Sequence, residues 1–203
     1  MEKNYDFLKR FQIIHHPDRR TLFELPENSI EITSAWVIRV PENPTAAEMR
    51  AAADVLDYLD VSMGIKLQLV KSDSANSHEI LFQDSKSGKI RGAYDITASN
   101  EQIIVSGDDS RGVLRGNIAL EDQMNLAGGP YITIGTARFE PLLKARIIHS
   151  GSGIDDFPDW QLDAIRHAGF TAIDHFVRDF DLNGKREKCD IADIIERADS
   201  YGL

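Results

Sequence analysis

Apolar positions recur every three or four residues in two long stretches of the chain, and they alternate or cluster in short runs between them. In the first stretch, AAEMRAAADVLDYLDVSM, Met49, Ala52, Leu56, Leu59 and Met63 fall on one stripe, the spacing of a helix with a buried face. Thr45 with Glu48 three residues on makes a capping box at its start, and Gly64 suits the C′ position at its end. The second stretch, SRGVLRGNIALEDQMNL, carries a mostly apolar stripe of Val113, Leu114, Asn117, Ile118, Glu121 and Met124. Asp109 or Ser110 is its N-cap, and Gly128-Gly129-Pro130 closes it. Around the helices the pattern predicts strands at Ile30 to Val40, IKLQLV, HEILFQD, GAYDITAS, EQIIVSG and YITIGTARF. The turn residues Ser74 to Ser77, Ser87-Gly88 and Ser99-Asn100 separate the middle four, and Asn100 to Gln102 predicts a tight antiparallel hairpin. The expectation is an α+β domain over residues 1–142, a mainly antiparallel sheet with two helices on one face.

After Glu140-Pro141 the period changes. ARIIHSG, PDWQLDAIRHAGF, TAIDHFVRD and DIADIIERADSYGL read as strand, helix, strand, helix, with Gly202 as the C′ residue of the last helix. This is the opening of a repeating β/α architecture, and a third strand is due where the sequence stops. Residues 143–203 are therefore expected to be the first two β/α units of an incomplete TIM barrel. An unfinished barrel sheet exposes an edge and an apolar lumen face, which predicts a homo-oligomer formed through that edge.

Composition narrows the function. The chain has 203 residues, 42% of them hydrophobic, as in a soluble globular protein. A net charge of −10 argues against nucleic acid, whose phosphates need a basic face. Acidic residues outnumber basic ones two to one from Gly151 to Leu203, which suits polyhydroxylated or cationic ligands and equally suits solvated helix faces. The single cysteine, Cys189, excludes an intrachain disulfide and a cysteine metal cluster. The N-terminus has no apolar leader region and no window reaches the length of a membrane span, so the expected location is cytoplasmic, away from membranes. HHPD at His15 to Asp18 reads as a loop rather than a metal motif. Gly107 and Gly112 around SGDDSR do not make a phosphate loop, because no GxxxxGK[ST] is present and GDDS brings negative charge.

The run GAYDITASNEQIIVSGDDSRGVLRGNIALEDQM, through Ile96, Ile103, Val105, Gly107, Asp109, Gly112, Gly116, Leu120 and Gln123, resembles the accessory domain that precedes the catalytic barrel in family 20 glycoside hydrolases, the β-N-acetylhexosaminidases. That domain is shared by α-glucuronidases and O-GlcNAcase-like enzymes. The upstream AAADVLDYLDVSMGIKLQLV resembles the same family's "A..L...L....G" segment, and RFEPLLKARIIHSG resembles its passage into barrel strand 1, with Arg146 at the family's Arg and Ile147 in place of its Gly. The resemblance covers residues 30 to 180. It implies the N-terminal part of a glycoside hydrolase acting on O-glycosidic bonds, with a carbohydrate substrate, no cofactor and no metal. HSGSGIDD lacks the Arg with which the family binds sugar hydroxyls. The family's catalytic Asp-Glu pair belongs to barrel strand 4, beyond Leu203, so the 203 residues alone are expected to be inactive and no catalytic residue is assigned among them.

Barrel sites form at the C-terminal ends of the strands. Those positions hold His149 after the first barrel strand, and His175 and Asp179 after the second. Imidazole and carboxylate groups there suit hydrogen bonding to sugar hydroxyls or the orientation of an acid or base. Each histidine has a structural alternative: His149 satisfying backbone groups at a strand end, and His175 turned toward helix packing. Asp155, Asp156 and Asp159 are explained by the following helix, whose N-terminus favours negative charge. Phe157 and Trp160 suit sugar stacking or ordinary packing. Two rival readings accompany the glycosidase. One is a non-catalytic carbohydrate-binding or interaction module, for which Trp36, Tyr58, Tyr94 and Tyr131 are too scattered to form a ladder. The other is a metal-dependent hydrolase using His149, His175 and Asp179, with no stoichiometric metal expected.

Overall fold

A computed structural model describes residues 12–149, 156–175 and 191–203. The chain divides into two compact units, one spanning His15–Leu142 and the other holding Leu143–Leu203. The first contains β1 (Ser29–Glu31), β2 (Val37–Val40), α1 (Ala46–Met63), β3 (Gln68–Lys71), β4 (Glu79–Asp84), β5 (Tyr94–Ala98), β6 (Gln102–Gly107), α2 (Ser110–Ala127), β7 (Tyr131–Thr133) and β8 (Gly135–Phe139). The second contains β9 (Ile147–His149), α3 (Asp159–His167), β10 (Ala172–Asp174) and α4 (Ile191–Ser200).

The main sheet has six strands in the order β3-β2-β4-β6-β5-β8, and β1 pairs with β7 in a separate antiparallel ribbon. It is a mixed sheet, which corrects the mainly antiparallel expectation. β3, β2, β4 and β6 run parallel, β5 runs against them, and β8, antiparallel to β5, runs in their direction again. The cause is the α1 crossover: a strand–helix–strand connection returns the chain to the same end of the sheet and makes β3 parallel to β2. The predicted hairpin is present between β5 and β6, with Ser99 N–H donating to Gln102 O at 2.8 Å. Two expected long strands are each broken. Ile30 to Val40 splits where Trp36 N–H turns back to Thr33 O, and YITIGTARF splits at Gly135, whose φ of 136° is closed to other residues.

Both helices begin and end where their capping residues predict. Thr45 and Glu48 form the reciprocal capping box, Gly64 closes α1 in the left-handed region, and Asp109 caps α2 by accepting from Gly112 N–H. The helices pack on each other and on the sheet in one continuous core. Alternate sheet residues Ile38, Val40, Ile80, Phe82, Ile96, Ile103 and Val105 meet Ala52, Val55 and Leu59 of α1 and Val113, Leu120 and Met124 of α2. Each fully buried aliphatic or Phe side chain contributes roughly 1.5–3 kcal/mol. α2 lies so close to the sheet that a Cβ at Gly112 would stand 2.1 Å from Ala93 O, and one at Gly116 2.3 Å from Val105 Cγ1.

The sheet's other side carries ion pairs. Arg39 on β2 donates through Nε and Nη2 to the two oxygens of Glu79 on β4, at 2.7 and 2.8 Å, and through Nη1 to Ser72 O at 3.0 Å. Asn76 N–H and Gln102 Nε2 complete the donors to Glu79, which is fully buried. Nearer the edge, Arg138 on β8 holds Asp108 through two bonds of 2.9 and 2.7 Å, and also Asp95 on β5 at 2.9 Å. Among the described residues no helix is long and apolar enough to cross a membrane.

Candidate functional site at the strand ends

β9 and β10 are paired in parallel, with Ile147 opposite Ala172, Ile148 opposite Ile173 and His149 opposite Asp174. Side chains alternate across a strand. Ile148 and Ile173 pack on a small core of Phe157, Leu162, Ile165, Ile194, Ala198, Tyr201 and Leu203 from the helices and their flanks. His149 and Asp174, one residue on, therefore project from the face opposite the helices. Both are exposed. This register makes Asp174 a neighbour of His149 that sequence reasoning missed. The signal was present in the alternation of TAID, but only the pairing with β9 reveals which residue stands beside the histidine.

His175 follows β10 and lies half-buried, its ring edge-on to Phe157 at 5.7 Å and 76°. Phe157 is almost fully buried, so it belongs to the core rather than to a stacking platform, whereas Trp160 on α3 stays exposed. Asp179 lies outside the described residues. Of the three residues singled out from sequence, the structure thus describes two, at the ends of adjacent parallel strands, with one exposed and one partly packed.

The segment that leads into α3 is held from α4. Arg197 Nη2 donates to Asp156 O at 2.8 Å and Nη1 donates to Phe157 O, while Nε pairs with Asp193 at 2.8 Å. The hydrogen bond to Asp193, with Asp159 adding to it against burial, raises the Arg197 pKa above its usual value and keeps the cation fixed. This clamp supports Phe157 at a positive φ of 43°, an uncommon conformation for an aromatic residue, and so fixes the ring against which His175 leans. Asp159 stands in the first turn of α3 and Arg166 and His167 in its last turn, the charge order favoured by the helix dipole. His167 is half-buried, with Nδ1 donating to Asp163 O at 2.9 Å.

Comparison with known proteins gives a fold but no family: no family model and no curated protein matches the sequence. Solved structures do match. The GH20 β-N-acetylhexosaminidase from Streptomyces coelicolor A3(2) aligns over 92% of this chain and 45% of its own, at 17% identity and a TM-score of 0.61. The Flavobacterium johnsoniae chitobiase aligns over 89% of this chain and 32% of its own, at 17% identity and a TM-score of 0.69. A GH138 enzyme targeting pectin rhamnogalacturonan II aligns over 82% of this chain and 23% of its own, at 13% identity and a TM-score of 0.59. The fold is hexosaminidase-like, α+β with mixed sheets, and the chain spans less than half the length of these structures.

Proposed function

We propose that the chain is the N-terminal part of a glycoside hydrolase acting on O-glycosidic bonds. In this reading the unit His15–Leu142 is the accessory domain, and β9-α3-β10-α4 opens a (β/α)8 catalytic barrel. The observation that carries it is the parallel β9–β10 pair, each strand followed by a helix on one face, with His149 and Asp174 projecting from the other. In a barrel that other face is the lumen, and strand C-termini are where substrates bind. His149 and Asp174 then contribute hydrogen bonds to sugar hydroxyls, with His175 and Asp179 following Asp174 in sequence. The carboxyl pair that such hydrolysis requires belongs to other barrel units, so the 203 residues bind sugar weakly and do not cleave it.

Two measurements test this. The purified chain turns over no chromogenic N-acetylhexosaminide above background, and robust turnover would overturn the placement of the carboxyl pair. In solution NMR, N-acetylglucosamine shifts the His149 ring and its neighbours, and Asp174→Asn weakens that response. Shifts confined to the sheet-and-helix unit would instead favour a carbohydrate-binding module.

A further inference from the structure

His15 belongs to the HHPD run, and it is indeed in a loop, but it is buried, at 8% exposure. Its ring is wedged against the two helices. Asp57 Oδ2 on α1 lies 2.7 Å from Nδ1. An ionised carboxylate only accepts, so Nδ1 carries the hydrogen and a neutral ring presents its lone pair at Nε2. Nε2 faces Glu121 Oε2 on α2 at 3.4 Å and Asp54 Oδ1 on α1 at 3.5 Å. The remaining oxygens of these two carboxylates are held by one amide: Asn117 Nδ2 donates to Asp54 Oδ2 at 2.6 Å and to Glu121 Oε1 at 3.3 Å. Tyr58 closes the side of the cluster, its ring edge-on to the imidazole at 5.5 Å and its hydroxyl donating to Glu121 O at 3.3 Å. The side chains of His15, Asp54 and Glu121 are 5%, 8% and 5% exposed.

We propose that His15 Nε2, Asp54 Oδ1 and Glu121 Oε2 form a binding site for a divalent transition cation of the zinc class. The geometry fits: two ligand atoms about 2.1 Å from a metal and a tetrahedral angle apart are themselves about 3.4 Å apart. One ligand atom from each of the three residues lies within 4.8 Å of those of the others. The supporting groups fit as well. Asp57 on Nδ1 completes a carboxylate–histidine–metal arrangement that fixes the tautomer and the ring, and Asn117 aims one oxygen of each carboxylate at the same point. Burial pushes the imidazole pKa down, but Glu121, Asp57 and Asp54 outweigh it and hold the pKa above its usual value. Imidazole in the ligand set selects a transition ion over magnesium or calcium. The bound ion would pin the segment before β1 to both helices, adding to its backbone bonds from Arg19 to Ser62 O and from Thr21 and Leu22 to Gly128 O.

The test strips the full 203-residue chain with EDTA near neutral pH and titrates it with zinc, magnesium or calcium, following calorimetry and thermal melting. Zinc is expected to bind at one equivalent and raise the melting midpoint, while magnesium and calcium at equal concentration leave it unchanged. His15→Ala and Glu121→Gln lower zinc affinity by more than about 100-fold, and Asp57→Asn lowers it about 10- to 100-fold. Glu121→Gln keeps the side-chain shape and an oxygen for Asn117, and the wild-type titration needs no variant at all. Absence of stoichiometric zinc, equal binding by the variants, or a midpoint that follows pH alone with zinc adding nothing would each overturn the proposal.

Discussion

Two buried polar clusters in the unit His15–Leu142 are built on opposite principles. Around Glu79, one carboxylate meets a bidentate guanidinium, a backbone N–H and an amide, and both of its oxygens have donors. Around His15, the carboxylates of Asp54, Asp57 and Glu121 surround an imidazole, Asn117 bonds Asp54, and oxygens of Asp54 and Glu121 face the same ring nitrogen. The first cluster is closed, with charge matched inside it. The second concentrates negative charge on a single point. Burial alone does not separate structure from ligand binding; the arrangement of the charges does.

The largest effect that tests this contrast is on stability. Glu79→Ala leaves Arg39 buried without its partner and is expected to cost about 3–5 kcal/mol in urea unfolding. In chelator-treated protein, Glu121→Gln removes one of three like charges while keeping the shape, and costs less than about 1 kcal/mol. Equal losses would mean that the His15 cluster is as closed as the other, and the contrast would fail.

Acid should also strain the closed cluster. Burial acts to raise the Glu79 carboxyl, but the Arg39, Asn76 and Gln102 hydrogen bonds outweigh it and hold its pKa at about 2, against a usual value of 4.5. A carboxyl whose folded pKa is depressed contributes stability that is fully present above its unfolded value and is lost as pH falls through the folded one. Glu79 therefore contributes on the order of 3 kcal/mol near neutrality, lost between about pH 5 and pH 2. Asp108, lowered to about 2 chiefly by Arg138, adds in the same direction. Urea midpoints across that range should fall more steeply for the wild type than for Glu79→Gln, and parallel curves would refute the assignment.

Legibility in the sequence follows the reach of the interactions. The ends of α1 and α2 could be read because Thr45, Glu48, Gly64 and Asp109 act within one turn. The hairpin at Ser99 to Gln102 is local as well. The parallel pairing of β2 with β4 was not readable, because it joins residues about forty apart and leaves no mark on either strand's alternation. The crossover through α1 was the available sign that the sheet is mixed. The His15 cluster left a fainter sign. Asn117 and Glu121 sit on the buried stripe of α2, where an amphipathic helix should be apolar, and they are the two polar residues that meet Asp54 and His15. At the ends of β9 and β10, His149 could be named from sequence, but Asp174 needed the register with β9.

A smaller effect sharpens the same contrast with a third buried carboxylate. Glu48 is 4% exposed, and among the described residues its hydrogen bonds come from Thr45 and the Asp84 backbone. Its Oε2 accepts from Thr45 N–H at 2.6 Å and Thr45 Oγ1 at 3.0 Å, and its Oε1 accepts from Asp84 N–H at 2.7 Å. Both oxygens are satisfied by neutral donors at a helix N-terminus, where the backbone favours an anion. Thr45→Ala removes the hydroxyl, and with it the bond from Glu48 N–H to Thr45 Oγ1, but leaves two backbone donors to the carboxylate in place. The expected loss is about 1 kcal/mol, without zinc dependence. A carboxylate with enough donors thus tolerates the loss of one. If Thr45→Ala cost as much as Glu79→Ala, the donor count would not be what sets the cost of burying Glu48 and Glu79.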